Sequence, residues 1–191
     1  LGASRCYPWL LVDALPGKSV ISLCQRYFTT QDVLQQFVAD QTLGADADVV
    51  IHVGLNDCAN RMFNEEQRLS IALLPGALGT RIVQFAQQRR QAVLRYLPAQ
   101  RYVQIEQFRS NLDAILLLLR TRNARKIILS TTTLPPSRSW RATPGVNQNF
   151  AAYNLEIMAA AHRHGGLVMD IDRHIWEAQH LKSLNEDGMH L

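Results

Sequence analysis

Residues 111–130 read NLDAILLLLRTRNARKIILS, and this stretch decides the fold. Leu112, Ile115, Leu116 and Leu119 recur at i, i+3, i+4 and i+7, the spacing that lines side chains along one face of an α-helix. Lys126 to Ser130 follows as a short apolar run of the kind that forms a buried parallel strand. Downstream, Phe150, Tyr153, Ile157 and Ala161 repeat nearly the same stripe, and Gly165-Gly166 supplies the left-handed conformation of a helix end. Leu167 to Ile171 is then the next strand. Upstream, Ala47 to Val53 and Lys18 to Leu23 have the same strand character. Thr30 reads as the N-cap of a helix through Val38, while Ile82, Phe85, Ala92, Val93 and Tyr96 mark a long helix stopped near Pro98. Parallel strands need crossover connections, so this alternation predicts a parallel sheet with helices on both faces. The longest loop, Thr132 to Val146 with Pro135, Pro136, Pro144 and Gly145, follows directly on a strand. That places it at the edge where open α/β sheets hold ligands.

The composition bounds the function. A chain of 191 residues with 47% hydrophobic and 19% charged residues makes one domain with a sizeable core. No apolar run approaches the roughly 18 residues of a membrane span. The net charge of +4 comes from 17 Arg and 3 Lys scattered along the chain, which argues against a nucleic-acid footprint and leaves an anionic partner or plain solubility as its meaning. Cys6, Cys24 and Cys58 are odd in number and lack metal-ligand spacing, so neither a disulfide framework nor a zinc site is expected. Reduced thiols in a cytoplasmic protein fit best, although the chain opens at Leu1 without a methionine, which leaves a removed N-terminal signal open.

Three segments carry candidate chemistry. Gly54-Leu55-Asn56-Asp57 stands just past a strand, where a side-chain amide projects over the carboxyl edge of the sheet and can donate to a developing oxyanion. Read alone, it is also a good turn sequence. Asp187-Gly188-Met189-His190 puts a carboxylate three residues before an imidazole, a pair that can activate a serine hydroxyl, or else form a polar tail. Gly2-Ala3-Ser4 sets a serine at the start of a helix after a truncated first strand, where an ordinary N-cap is the commoner explanation.

Together these segments resemble the SGNH, or GDSL, hydrolase superfamily, whose first motif has Gly-Asp-Ser, third Gly-x-Asn-Asp and last Asp-x-x-His. The resemblance covers the whole chain, residues 1–191, taken as a single domain with flanking residues expected at both ends. It implies a flavodoxin-like three-layer α/β/α sandwich around a parallel sheet of about five strands. By the same resemblance Ser4 is the nucleophile, His190 the general base and then acid, Asp187 its orienting carboxylate, and Asn56 an oxyanion-hole donor beside the backbone N–H groups of Ser4 and Tyr27. The sequence departs from the family at Ala3, where the opening motif has Asp, and at Tyr27, which aligns with the glycine of the second motif. The implied activity is cleavage of an acyl or acetyl ester of a carbohydrate or small molecule through an acyl-enzyme, with no metal or organic cofactor. An O-acyltransferase acting on a glycan and a catalytically weak glycan-binding module are the alternatives.

Arg138, Trp140 and Arg141 combine cations with an aromatic face in the long loop, which suits a sugar ring or acidic substrate as well as a solvated loop. His162 and His164 read as cations at a helix end rather than a metal pair. Asp172 reads as an N-cap, and Asp170, Asp172 and His174 rank behind Asp187 and His190 as triad members. His52 reads as a packed strand residue, and Cys58, with nothing visible to activate it, as no nucleophile.

Overall fold

The computed structural model of the chain describes residues 7–25, 27–96, 100–133 and 143–177. In chain order its elements are α1 (Tyr7–Ala14), α2 (Thr30–Ala39), β1 (Asp48–His52), α3 (Leu55–Cys58), α4 (Glu65–Ala72), α5 (Leu78–Gln88), α6 (Arg90–Tyr96), α7 (Ile105–Thr121), β2 (Lys126–Ser130), α8 (Val146–Arg163), β3 (Leu167–Met169) and α9 (Ile171–Glu177). The strands form a parallel sheet in the order β1-β2-β3, with Ile51 opposite Leu129 and Leu129 opposite Val168.

The predicted stripe of α7 is its buried face. Phe108, Leu112, Ile115, Leu116 and Leu119 are all fully buried and meet Phe150, Tyr153, Ile157 and Ala161 of α8 over Ile51, Ile127 and Leu129 of the sheet. Each such side chain contributes roughly 1.5–3 kcal/mol by leaving water, so this layer anchors the molecule. The Phe108 and Tyr153 rings pack tilted, 4.8 Å between centroids. Helix α8 ends as its sequence implies. Gly165 takes φ +60°, its N–H donates to the His162 carbonyl and that of Gly166 to the Ala161 carbonyl, a Schellman closure that hands the chain to β3.

Five expectations are corrected. The described sheet has three strands rather than about five. Lys18 to Leu23 joins no ladder: Ile21 is 79% exposed, and an ion pair from Lys18 to Asp48 (3.5 Å) ties the segment to β1. Strand-forming side chains make no strand where the backbone lacks a partner. The first strand expected ahead of Ser4 lies outside the described residues. Helices cover one sheet face among the described residues, whereas Val50, Leu167 and Met169 are exposed on the other. The long helix through Tyr96 is two, α5 and α6, separated at Arg89, and Phe85 and Tyr96 of the expected stripe are exposed while Ala86 and Leu94 are buried. His52 is exposed at the end of β1 rather than packed. Among the described residues no helix is long and apolar enough to cross a membrane.

Candidate active site

The turn after β1 depends on Gly54. Its φ of +116° lies in the region that L side chains rarely adopt, so the conformation selects glycine, and a Cβ there would in addition press on Thr132 Cγ2 at 3.3 Å. The turn starts α3 and sets Asn56 in its first turn at the carboxyl end of the sheet. The Asn56 Nδ2 amide donates to the Phe28 carbonyl (3.0 Å), and Oδ1 accepts from Arg61 Nη2 (3.3 Å). A primary amide has two N–H groups, so one Nδ2 hydrogen is committed and the other has no partner among the described residues. Tyr27, one residue before Phe28, holds φ +68°, a conformation L residues other than glycine seldom adopt, and its side chain is 69% exposed. The Asn56–Phe28 hydrogen bond therefore joins the two segments that carry the candidate donors Asn56 and Tyr27.

Behind Asn56, Asp57 is fully buried. Its Oδ1 accepts from the Thr30 N–H (2.9 Å) and the Thr30 hydroxyl (2.6 Å), and that hydroxyl accepts from Asn111 Nδ2 (3.1 Å). Thr30 is thereby drawn away from the capping role expected of it. Thr29 caps α2 instead, its N–H donating to Asp32 Oδ2 (2.8 Å) in a capping box. Burial pushes the Asp57 carboxyl up from its ordinary value of 3.8, against the lowering effect of the two Thr30 hydrogen bonds. Cys58 is also fully buried, and burial together with the Asp57 charge pushes its thiol well up, the opposite of an activated nucleophile.

On the other side of Asn56 lies a set of polar residues that the sequence does not announce. Asn60 donates from Nδ2 to the Pro144 carbonyl (2.9 Å), and its own carbonyl accepts from Arg90 Nη2 (2.8 Å). Arg90 Nε reaches Thr143 Oγ1 (3.0 Å), while Arg101 Nη2 donates to Asn149 Oδ1 (2.6 Å) and Asn149 Nδ2 to Asn60 Oδ1. An isolated antiparallel bridge between Arg61 and Gln100 brings the segments side by side. No local pattern marks these residues, because they come from segments far apart in the sequence and meet only through tertiary contacts such as these.

Of the residues singled out in the sequence, Ser4, Arg138, Trp140, Arg141, Asp187 and His190 lie outside the described residues. The base of the long loop is described. Thr132 N–H donates to Asn154 Oδ1 (2.9 Å) and Asn154 Nδ2 to the Thr132 carbonyl (2.7 Å), so the loop departs against Gly54. The secondary candidates have other work. His164 Nε2 stands 2.9 Å from Asp113 Oδ1, and Arg163 pairs with the same oxygen at 2.8 Å. Asp170, not Asp172, caps α9: its Oδ1 accepts from the Arg173 N–H (3.2 Å) and from Thr131 Oγ1 (3.0 Å). Among the described residues no cluster of His, Cys, Asp or Glu could hold a metal.

The model of the GDSL-like lipase/acylhydrolase family matches residues 2–191. Among solved structures, the crystal structure of LAE5, an alpha/beta hydrolase enzyme from the metagenome of Lake Arreo, Spain, is similar with a TM-score of 0.52 at 19% sequence identity. The similarity covers 86% of this chain and 61% of that one, so the chain spans less than two thirds of that protein's length. At this identity the likeness bears on the fold alone, an α/β arrangement of helices around a parallel sheet. No curated protein sequence matches the chain.

Proposed function

The chain belongs to the GDSL-like lipase/acylhydrolase family, whose model spans residues 2–191, and from that premise we propose that it is a serine hydrolase cleaving an acyl or acetyl ester of a carbohydrate or small molecule. In this reading Ser4 Oγ attacks the ester carbonyl carbon while His190, oriented by Asp187, takes the hydroxyl proton. The carbonyl oxygen becomes an oxyanion held by the second Nδ2 hydrogen of Asn56 and by the backbone N–H groups of Tyr27 and Ser4. Collapse breaks the bond to the leaving oxygen, which receives the proton from His190, and leaves an acyl-enzyme. Water then attacks the acyl carbon, gives its proton to His190, and the carboxylic acid departs as Ser4 is reprotonated.

The observation that carries the reading is the Asn56 amide. It stands at the carboxyl end of the sheet with one N–H fixed on Phe28 and the other without a partner among the described residues, so it is oriented before any ligand arrives. A donor preorganised in this way is worth roughly 3 kcal/mol of transition-state stabilisation. The test is labelling with a fluorophosphonate probe, read by mass spectrometry on wild type and Ser4→Ala. Phosphonylation at Ser4 that disappears in the variant supports the reading. A folded wild type that takes up no label counts against hydrolysis and moves the glycan-binding module to the front.

A further inference from the structure

Three guanidinium groups gather on the Asn60 side of Asn56, and none of them makes an ion pair with a carboxylate among the described residues. We propose that Arg61, Arg90 and Arg101 form a binding site for an oxyanion, a carboxylate, phosphate or sulfate group carried by the ester substrate beside its scissile bond. The assignment of that anion to a substrate rests on the reading of Asn56 as an oxyanion donor.

Among the described residues the hydrogen-bond partners of the three arginines are all neutral. Arg61 reaches Asn56 Oδ1 and lies over the Tyr102 ring at 4.5 Å, Arg90 reaches Thr143 Oγ1 and the Asn60 carbonyl, and Arg101 reaches Asn149 Oδ1. Elsewhere Arg109, Arg163 and Arg173 each find a carboxylate, from Glu156, Asp113 and Glu177, at the surface where a pair gains least. The arrangement is thus inverted, since among the described residues the less exposed cations make no ion pair. Arg61 Nε and Arg101 Nε are buried donors with no hydrogen-bond partner among the described residues, a costly state for a charged group. Burial and then the charge of Arg61 lower the Arg90 guanidinium from its ordinary value, which places those two cations within each other's field.

Like charges held together in a partly buried place repel, and a bound oxyanion relieves the repulsion. Guanidinium forks match the planar or tetrahedral oxygens of carboxylate, phosphate and sulfate. The site is also fixed in advance, since the Asn60 and Asn149 amides and Thr143 hold Arg90 and Arg101 through neutral contacts that an arriving anion need not break. Arg61 links this site to the oxyanion donor directly, through Asn56 Oδ1.

The experiment measures hydrolysis of neutral 4-nitrophenyl acetate by the full chain at constant ionic strength, with inorganic phosphate exchanged for chloride, beside calorimetric titration of phosphate alone. The expected result is inhibition by phosphate that raises KM and leaves kcat, with its inhibition constant weakened by about 10-fold or more in Arg101→Gln and in Arg61→Gln. Hydrolysis indifferent to phosphate, with no calorimetric binding, overturns the site and leaves the esterase reading standing. Phosphate bound equally by wild type and both variants overturns it as well. Arginine-dependent phosphate binding in a protein that hydrolyses no ester keeps the anion site and overturns the reading that makes the anion part of an ester. The wild-type titrations need no variant, so a misfolded substitution does not blunt the test.

Discussion

The body formed by α7, β2 and α8 and the turn from Gly54 to Arg61 are held together by opposite means. In the body, fully buried Leu, Ile and Phe side chains repeat at helical spacing, and each contact is non-directional, so the whole is set by pattern and volume. In the turn, three polar side chains are fixed by directed hydrogen bonds to distant segments: Asn56 to Phe28, Asp57 to Thr30, Asn60 to Pro144. The body sets how stable the protein is. The turn sets where a few polar atoms point, and it does so with unsatisfied donors, a buried carboxylate and a strained Tyr27 next to it, features usual where function rather than stability is selected.

Substitutions in the two regions should separate along that line. Leu116→Ala removes a fully buried side chain from the body and is expected to cost about 2–5 kcal/mol in chemical denaturation while leaving kcat per folded molecule unchanged. A change in kcat equal to that of a turn variant would break the distinction. Gly54→Ala sits at the junction. The positive φ and the 3.3 Å approach to Thr132 predict a loss of roughly 1–3 kcal/mol in thermal unfolding, together with a fall in kcat as Asn56 is displaced.

Asp57→Asn sharpens the comparison through pH. Burial raises the folded carboxyl above its unfolded value of 3.8, so the folded state holds the proton more tightly. That contribution is fully present below pH 3.8 and is lost as pH rises through the higher folded value. Unfolding measured across this range should show wild type losing stability relative to Asp57→Asn as pH rises, and a flat difference would mean the carboxyl is not desolvated. Tyr27→Gly carries the smallest effect: relief of the left-handed backbone at φ +68°, offset by glycine's greater freedom when unfolded, predicts stabilisation of about 1 kcal/mol or less.

The same division governs what could be read from the sequence. The body was legible because a hydrophobic period reports its own burial: the Leu112 and Phe150 stripes, the Lys126–Ser130 strand and the Gly165-Gly166 helix end stand where the pattern puts them. Lys18 to Leu23 misled because strand character says nothing about whether a neighbouring strand exists. Thr30 misled by one residue, since two adjacent threonines can each cap a helix and the contest is settled by Asp57, 27 residues away. The place of Asn56 just past β1 was legible through its motif. The positive φ of Tyr27 was not, because a tyrosine gives no local signal for it, nor was the convergence of Arg61, Arg90 and Arg101, which depends on tertiary contacts such as the bridge between Arg61 and Gln100.

The most direct test of the turn as the chemical centre is kcat for 4-nitrophenyl acetate in Asn56→Ala, taken per folded molecule and set beside Leu116→Ala. A fall of about 100- to 1,000-fold is expected in Asn56→Ala, with a melting temperature closer to wild type than that of Leu116→Ala. An Asn56→Ala enzyme that turns over at the wild-type rate would contradict it.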